Sequence, residues 1–365
     1  MKRIFLLLVL CCMYFHTAFA ETELSKEDIL ADYDQLWMIL ENEYPFLPEV
    51  KARGIDVDAL RAEGREILLH RTEDFEGFSA LTAQLFARMG NVAHLQVVTK
   101  ELYDSYYSQF IWPKSVYARY MRMEQREGQQ ITYPQAEARY LPEADALYFR
   151  FPTFSDPDAL EGDRTMVADF LLKYPDAAHI IMDITGNRGG NAAYWIENIV
   201  APFGGRYVWN RTNYLKKTAV TADIFENYMC EEIAGQRPAF VQQYGFTHLL
   251  RTTDVYPDSE GINAQGKRWV LIDEAVFSAA DGFAAFCKAT GWATLVGKRT
   301  MGDGGDAFAP KAAALERSGL LIRFSAGCAA NHDGTSNAAQ GTMPDVFCKP
   351  KETPLRACLR RIMQE

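Results

Sequence analysis

Two stretches of this chain carry the residue types that catalysis needs. The first, residues 183–191, reads Asp-Ile-Thr-Gly-Asn-Arg-Gly-Gly-Asn and follows an apolar run. Glycines there let backbone N–H groups approach a ligand closely, and a helix start just beyond adds a positive dipole end. A phosphate loop would read G-x-G-x-x-G or end in GK[ST], and neither is present. An oxyanion hole, which needs one or two exposed N–H groups beside a nucleophile, fits the stretch, as does a plain strand-to-helix turn. In the second stretch Ser278 stands where an apolar strand over 269–273 gives way to a helix over 279–290. Its hydroxyl can face a cleft there while the N–H of Ala279 stays free, as in a nucleophile elbow without the G-x-S-x-G sequence. Taken alone, Ser278 reads most simply as a helix N-cap.

The elements that must position these stretches come in two kinds. Residues 21–90 read as helices. Ser25 and Asp28 make a capping box, after which Ile29, Tyr33, Leu36, Trp37, Leu40 and Tyr44 recur at helical spacing as far as Pro45. A second helix is expected over 57–70. A third starts at Asp74, with Phe75, Phe78, Leu81, Leu85 and Met89 on one face, and stops at Gly90-Asn91. Residues 92–98 read as a strand, and the tyrosine-rich stretch that follows as strand packing. From 146 onward, strands over 146–151, 179–184, 269–273, 294–296 and 319–324 alternate with helices over 165–172, 192–199 and 279–290. Thr353-Pro354 opens a last helix. Apolar strands alternating with helices predict an α/β core.

Composition narrows the function classes. The chain has 365 residues and begins with a basic tripeptide, an apolar run over 4–15 and Ala18-Phe19-Ala20, the pattern of a cleaved secretory signal peptide over 1–20. An exported product, periplasmic or extracellular, is expected, with no integral membrane segment after cleavage. Acidic residues outnumber basic ones by 48 to 38, so nucleic acid is a poor partner. Five cysteines follow the leader, an odd number with no zinc-like spacing, and Cys348 with Cys358 is the pair to test for a disulfide.

Read together and in order, the motifs resemble the tail-specific, or C-terminal-processing, serine peptidase family. Its pattern D-[LI]-R-x-N-x-G-G matches residues 183–190, with Thr185 in place of the arginine. Its S-A-[SA]-[ED] matches Ser278-Ala-Ala-Asp281, V-G-x-x-T-x-G matches residues 296–302, and G-x-x-P-D matches residues 341–345. The resemblance implies a crotonase-like (ClpP/crotonase-type) α/β catalytic core over 146–350. A helical N-terminal domain over 21–100 and connecting strands over 101–145 precede it, and a C-terminal helix over 351–365 follows. It further implies Ser278 as nucleophile, an oxyanion hole from Ala279 with Gly189 or Gly190, a peptide or protein substrate, and neither metal nor cofactor.

The general base needs a separate reading. The tail-specific branch uses a lysine twenty-five residues after the serine, and that position here is Asp303. A Ser-Lys dyad is therefore not expected. The tricorn core-protease branch uses a histidine from an N-terminal segment, which points to His94, with His332 in reserve. Asp303 or Asp333 is left to orient it, or the base works as a dyad. Asp281 reads as a helix-dipole partner and Asp345 as a turn residue. A PDZ domain needs about 80–100 residues, more than separate Val98 from Leu147, so none is expected and the chain falls nearer the PDZ-lacking branch. The alternatives are an esterase with the same nucleophile, or an inactive ligand- or peptide-binding protein on the same fold. Whether His94 reaches Ser278 separates an enzyme from a binder.

Overall fold

The computed structural model describes residues 24–70, 74–123, 133–155, 159–259, 261–262 and 265–365. The leader expected over 1–20 lies outside them. Helix α1 (Lys26–Asn42) starts at Ser25, whose hydroxyl accepts from the Asp28 N–H while the Asp28 carboxylate answers the Ser25 N–H. Helix α2 (Val57–His70) packs on α1, and α3 (Phe75–Arg88) packs on α2. A β-carbon on Gly64 of α2 would lie 2.3 Å from the Tyr33 hydroxyl, so only glycine allows this approach. The buried faces of all three share one apolar cluster with Tyr214, Phe240, Leu315, Ile322 and Phe324, far along the chain. Asp32, buried on α1, accepts from the N–H groups of Arg317 and Ser318 at 3.0 and 2.6 Å.

Two expectations for the next segment are corrected. The strand expected over 92–98 is only β1 (Gln96–Val97), because Val92–His94 forms a tight turn with Asn91, Ala93 and His94 all at positive φ. Non-glycine residues avoid that region, and here two outside hydrogen bonds hold it. Tyr44 donates to the Val92 carbonyl at 2.8 Å, and the Ser325 N–H donates to the Ala93 carbonyl at 2.8 Å. Residues 101–145 are expected as connecting strands, but those described there fall into helical turns at Lys100–Leu102, Tyr103–Tyr107 and Lys114–Tyr120 and, among the described residues, one strand, β2 (Glu137–Leu141). The tyrosines follow helical spacing: Tyr103, Tyr107, Val116 and Tyr120 turn inward together onto Val98 and Leu321.

A six-stranded mixed sheet forms the centre. Its members are β2, β3 (Ala146–Arg150), β4 (His179–Asp183), β8 (Lys267–Ile272), β9 (Thr294–Gly297) and β13 (Val346–Phe347), in the order β13-β9-β8-β4-β3-β2. Only the β2–β3 pair is antiparallel. Side chains alternate between two buried faces. Leu147, Ile180, Met182, Val270 and Ile272 meet α4 (Ala159–Lys173) and α5 (Ala279–Thr290), while Tyr148, Ile181, Trp269 and Leu271 meet α6 (Pro354–Ile362). Cys348 and Cys358 both border the α6 side as free thiols.

Two antiparallel sheets flank this centre. One orders β12 (Gly327–Ala329), β5 (Gly205–Leu215), β7 (His248–Ser259) and β6 (Glu231–Glu232); the other runs β1, β11 (Leu321–Phe324), β10 (Lys311–Ala314). Among the described residues no helix is long and apolar enough to cross a membrane.

Candidate active site

Strands β4, β8 and β9 run parallel, so the loops leaving their carboxyl ends emerge along one edge of the sheet. Backbone hydrogen bonds lace the three loops together. The Phe277 N–H donates to the Asn187 carbonyl at 3.1 Å, the Met301 N–H to the Val276 carbonyl at 2.8 Å, and the Ser278 N–H to the Gly302 carbonyl at 3.0 Å. Ser278 is half-buried and sits at φ 54°, ψ −130°, a conformation that turns its side chain out of the path of α5. Its hydroxyl caps no helical N–H, so the simplest reading of this serine in isolation does not hold.

His94 arrives on the strained turn before β1. Its Nε2 lies 2.8 Å from the Ser278 Oγ, across 184 residues of sequence. Its Nδ1 lies 2.5 Å from the Asp303 Oδ2, and the imidazole is only 7 % exposed, its ring packed 4.5 Å from that of Phe277. Ser278, His94 and Asp303 thus form a continuous hydrogen-bonded series. His332 is exposed, and Asp333 is engaged with Thr335, so neither enters the site.

Sequence reasoning missed three supports of this series. Ser325, just after β11, donates to the Asp303 Oδ2 at 2.9 Å and lies 3.1 Å from the His94 Nδ1. Asp281, read as a dipole partner, is fully buried instead. It takes the Thr300 hydroxyl at 2.5 Å and the Gly304 N–H at 3.1 Å, and so ties the loop bearing Asp303 to α5. Asn337 accepts from the N–H groups of Gly304 and Gly305 at 3.1 and 3.0 Å. Asp345, read as a turn residue, accepts from the Leu295 N–H and pairs with Lys288. These partners lie tens of residues apart, and no local pattern announces them.

The glycine loop packs directly on the serine. A β-carbon built on Gly189 would lie 2.8 Å from the Ala279 nitrogen and 2.9 Å from the Ser278 Cβ. Buried Asn187 shapes the turn by donating to the Phe151 carbonyl at 2.9 Å and accepting from the Gly189 N–H at 2.8 Å. That second bond uses up the Gly189 donor. Among the described residues, the N–H groups of Gly190 and Ala279 have no acceptor. Thr185 and Arg150 share the surroundings of Asp183: Thr185 donates to it at 2.6 Å and the Arg150 guanidinium stands 3.5 Å away.

A second acid lies behind the first. Burial pushes the Asp306 carboxyl up to about 7 from its usual 3.8, and the charge of Asp303 adds to the rise. Between those two values the folded chain holds a proton that the unfolded chain has lost. Stability from this group is therefore present at low pH and lost as pH rises through about 7. Asp306→Asn should flatten the fall in Tm between about pH 4 and 7. A wild-type-like slope in the variant's melting curves would contradict the assignment.

A sequence model described as peptidase family S41 matches residues 145–347. Among curated proteins none matches. Among solved structures, a candidate peptidase from Parabacteroides merdae aligns with TM-score 0.59 at 17 % identity, covering 93 % of this chain and 97 % of its own. Mature CPAF complexed with lactacystin aligns with TM-score 0.57 at 13 % identity, covering 93 % and 97 %. A lipoprotein from Streptococcus agalactiae aligns with TM-score 0.51 at 12 % identity, covering 95 % and 99 %. At these identities the structural likenesses speak for the fold.

Proposed function

The chain belongs to peptidase family S41 and is a serine-type peptidase, and on that footing we propose that it is an exported enzyme whose crotonase-like core cleaves peptide bonds through Ser278, with His94 as general base. The single observation that carries the reading is the 2.8 Å approach of the His94 Nε2 to the Ser278 Oγ. Export, to a periplasm or the extracellular space, rests on the basic and apolar composition of the first twenty residues.

The chemistry follows from the placement of each group. His94 takes the hydroxyl proton as Ser278 Oγ attacks the scissile carbonyl carbon, and the carbonyl oxygen becomes an oxyanion. The unpaired N–H groups of Gly190 and Ala279 are the donors for that oxyanion, whereas Gly189 serves the turn. Asp303 keeps the imidazole proton on Nδ1 and stabilises the imidazolium that forms. The imidazolium then gives its Nε2 proton to the leaving amine, which departs as the C–N bond breaks. In the second half His94 deprotonates a water, which attacks the acyl-serine ester and releases the acid with Ser278 restored.

The test uses a fluorophosphonate probe, which reacts with activated serines, on the full mature chain. Labelling is expected for the wild type and expected to vanish in Ser278→Ala and His94→Ala. Labelling that persists in His94→Ala would place the base elsewhere, and a folded wild type that takes no label would overturn the assignment of Ser278.

A further inference from the structure

The motif over residues 183–190 leaves one place open beside its glycines, and this chain fills it with Arg188. The residue is exposed, and its guanidinium rests against two neighbours. Its Cζ lies 5.6 Å from the centroid of the Phe277 ring, and Nη2 approaches the Met301 sulfur at 3.9 Å. Phe277 is in turn packed on the His94 imidazole and directly precedes Ser278. A positive charge therefore stands one aromatic ring away from the base, on the glycine loop that packs on Ser278.

Some exposed arginines elsewhere are matched with acids, as Arg61 is with Glu41, Arg88 with Glu63 and Arg251 with Glu231. The chain carries 48 acidic residues, so acids are not scarce. Yet no carboxylate among the described residues forms an ion pair with Arg188, whose neighbours are a ring face and a thioether. A guanidinium lying over an aromatic face still presents N–H donors along its planar edge, the geometry that accepts a carboxylate in a bidentate fashion.

We propose that Arg188, braced by Phe277 and Met301, is a substrate-recognition subsite for a carboxylate close to the scissile bond. The source is either an aspartate or glutamate side chain or the terminal α-carboxylate of the substrate. The assignment rests on Ser278 being the nucleophile, since that places Arg188 at the site of cleavage. It makes Arg188 a specificity-determining residue, on a protein whose net charge of −10 would otherwise discourage acidic substrates.

The experiment compares fluorogenic peptides that differ only in acid against amide. One set exchanges Asp or Glu for Asn or Gln at each position flanking the cleaved bond; the other exchanges a free C-terminus for a C-terminal amide. Each pair is measured with the wild type, Arg188→Gln, Arg188→Lys and Arg188→Glu, and the readout is the ratio of kcat/KM within the pair. The wild type should favour the acid about fivefold to twentyfold in one set, as expected for a partly exposed charge-assisted contact. The ratio should approach one in Arg188→Gln, survive in part in Arg188→Lys and fall below one in Arg188→Glu. Whichever set shows the preference identifies the source of the carboxylate. The same labelled peptides are titrated by fluorescence anisotropy onto Ser278→Ala, with and without Arg188→Gln, so recognition is read even without turnover. A ratio near one for the wild type in both assays, or a preference that outlasts Arg188→Gln, would overturn the subsite. Failure of the fluorophosphonate labelling would instead remove Ser278 as nucleophile, and the binding ratios would still decide whether Arg188 recognises carboxylates.

Discussion

Asp303→Asn should lower kcat by about 10⁴-fold, the scale seen when the acid of a serine–histidine–acid series becomes its amide. The reason is tautomeric. The carboxylate, 2.5 Å from the His94 Nδ1, can only accept, which keeps the proton on Nδ1 and leaves Nε2 free to take the Ser278 proton. An asparagine presents its NH₂ at the same spot, favours an unprotonated Nδ1 and so turns an N–H toward the serine. Ser325 offers a partial escape, because its hydroxyl lies 3.1 Å from the same Nδ1 and can accept in place of the lost carboxylate. The variant carrying both Asp303→Asn and Ser325→Ala should accordingly be slower still, and the two effects should fail to add. Steady-state kinetics beside thermal melts would check this. An Asp303→Asn enzyme within tenfold of wild type would mean that His94 works without an orienting acid.

Gly190→Ala should cost about 10²–10³ in kcat, the usual worth of one oxyanion donor, together with a measurable loss of stability. Gly190 sits at φ 138°, and a β-carbon there would lie 2.3 Å from the carbonyl carbon and oxygen of Phe154 and 2.5 Å from the Ser155 nitrogen. All three are backbone atoms that cannot rotate away. The loop would have to separate from residues 154–155, breaking the bonds from the Phe154 N–H to the Gly189 carbonyl and from the Asn191 N–H to the Phe154 carbonyl. The Gly190 N–H would leave the serine with it. Gly186 in the same loop is the control: it also has positive φ, but a β-carbon there meets nothing within 4 Å. Gly186→Ala should cost about 1–2 kcal/mol of backbone strain and leave the donor in place. Equal kinetic losses in the two variants would show that loop strain, rather than donor position, governs the rate.

Much of this protein is written locally. The capping box at Ser25, the helical spacing of Ile29 to Leu40 and the buried strands β4 and β8 follow from periodicity, because each depends on neighbours within a few residues. Ser278 and the glycine loop are likewise visible, since parallel strands must deliver their loops to one edge. His94 is identifiable as a candidate from the sequence, but the turn that carries it is not. The apolar pattern over 92–98 suits a strand, and only the bonds from Tyr44 and Ser325 hold it in a left-handed turn.

The roles of Ser325, Asp281 and Asn337 depend on contacts across 22, 23 and 33 residues. The choice of Gly190 over Gly189 depends on one side-chain bond from Asn187. The sequence by itself determined which groups could do the chemistry, through residue type and local spacing. The tertiary structure alone decided which of them meet, because hydrogen bonds act over about 3 Å and the partners are brought that close only when helices, sheets and loops pack.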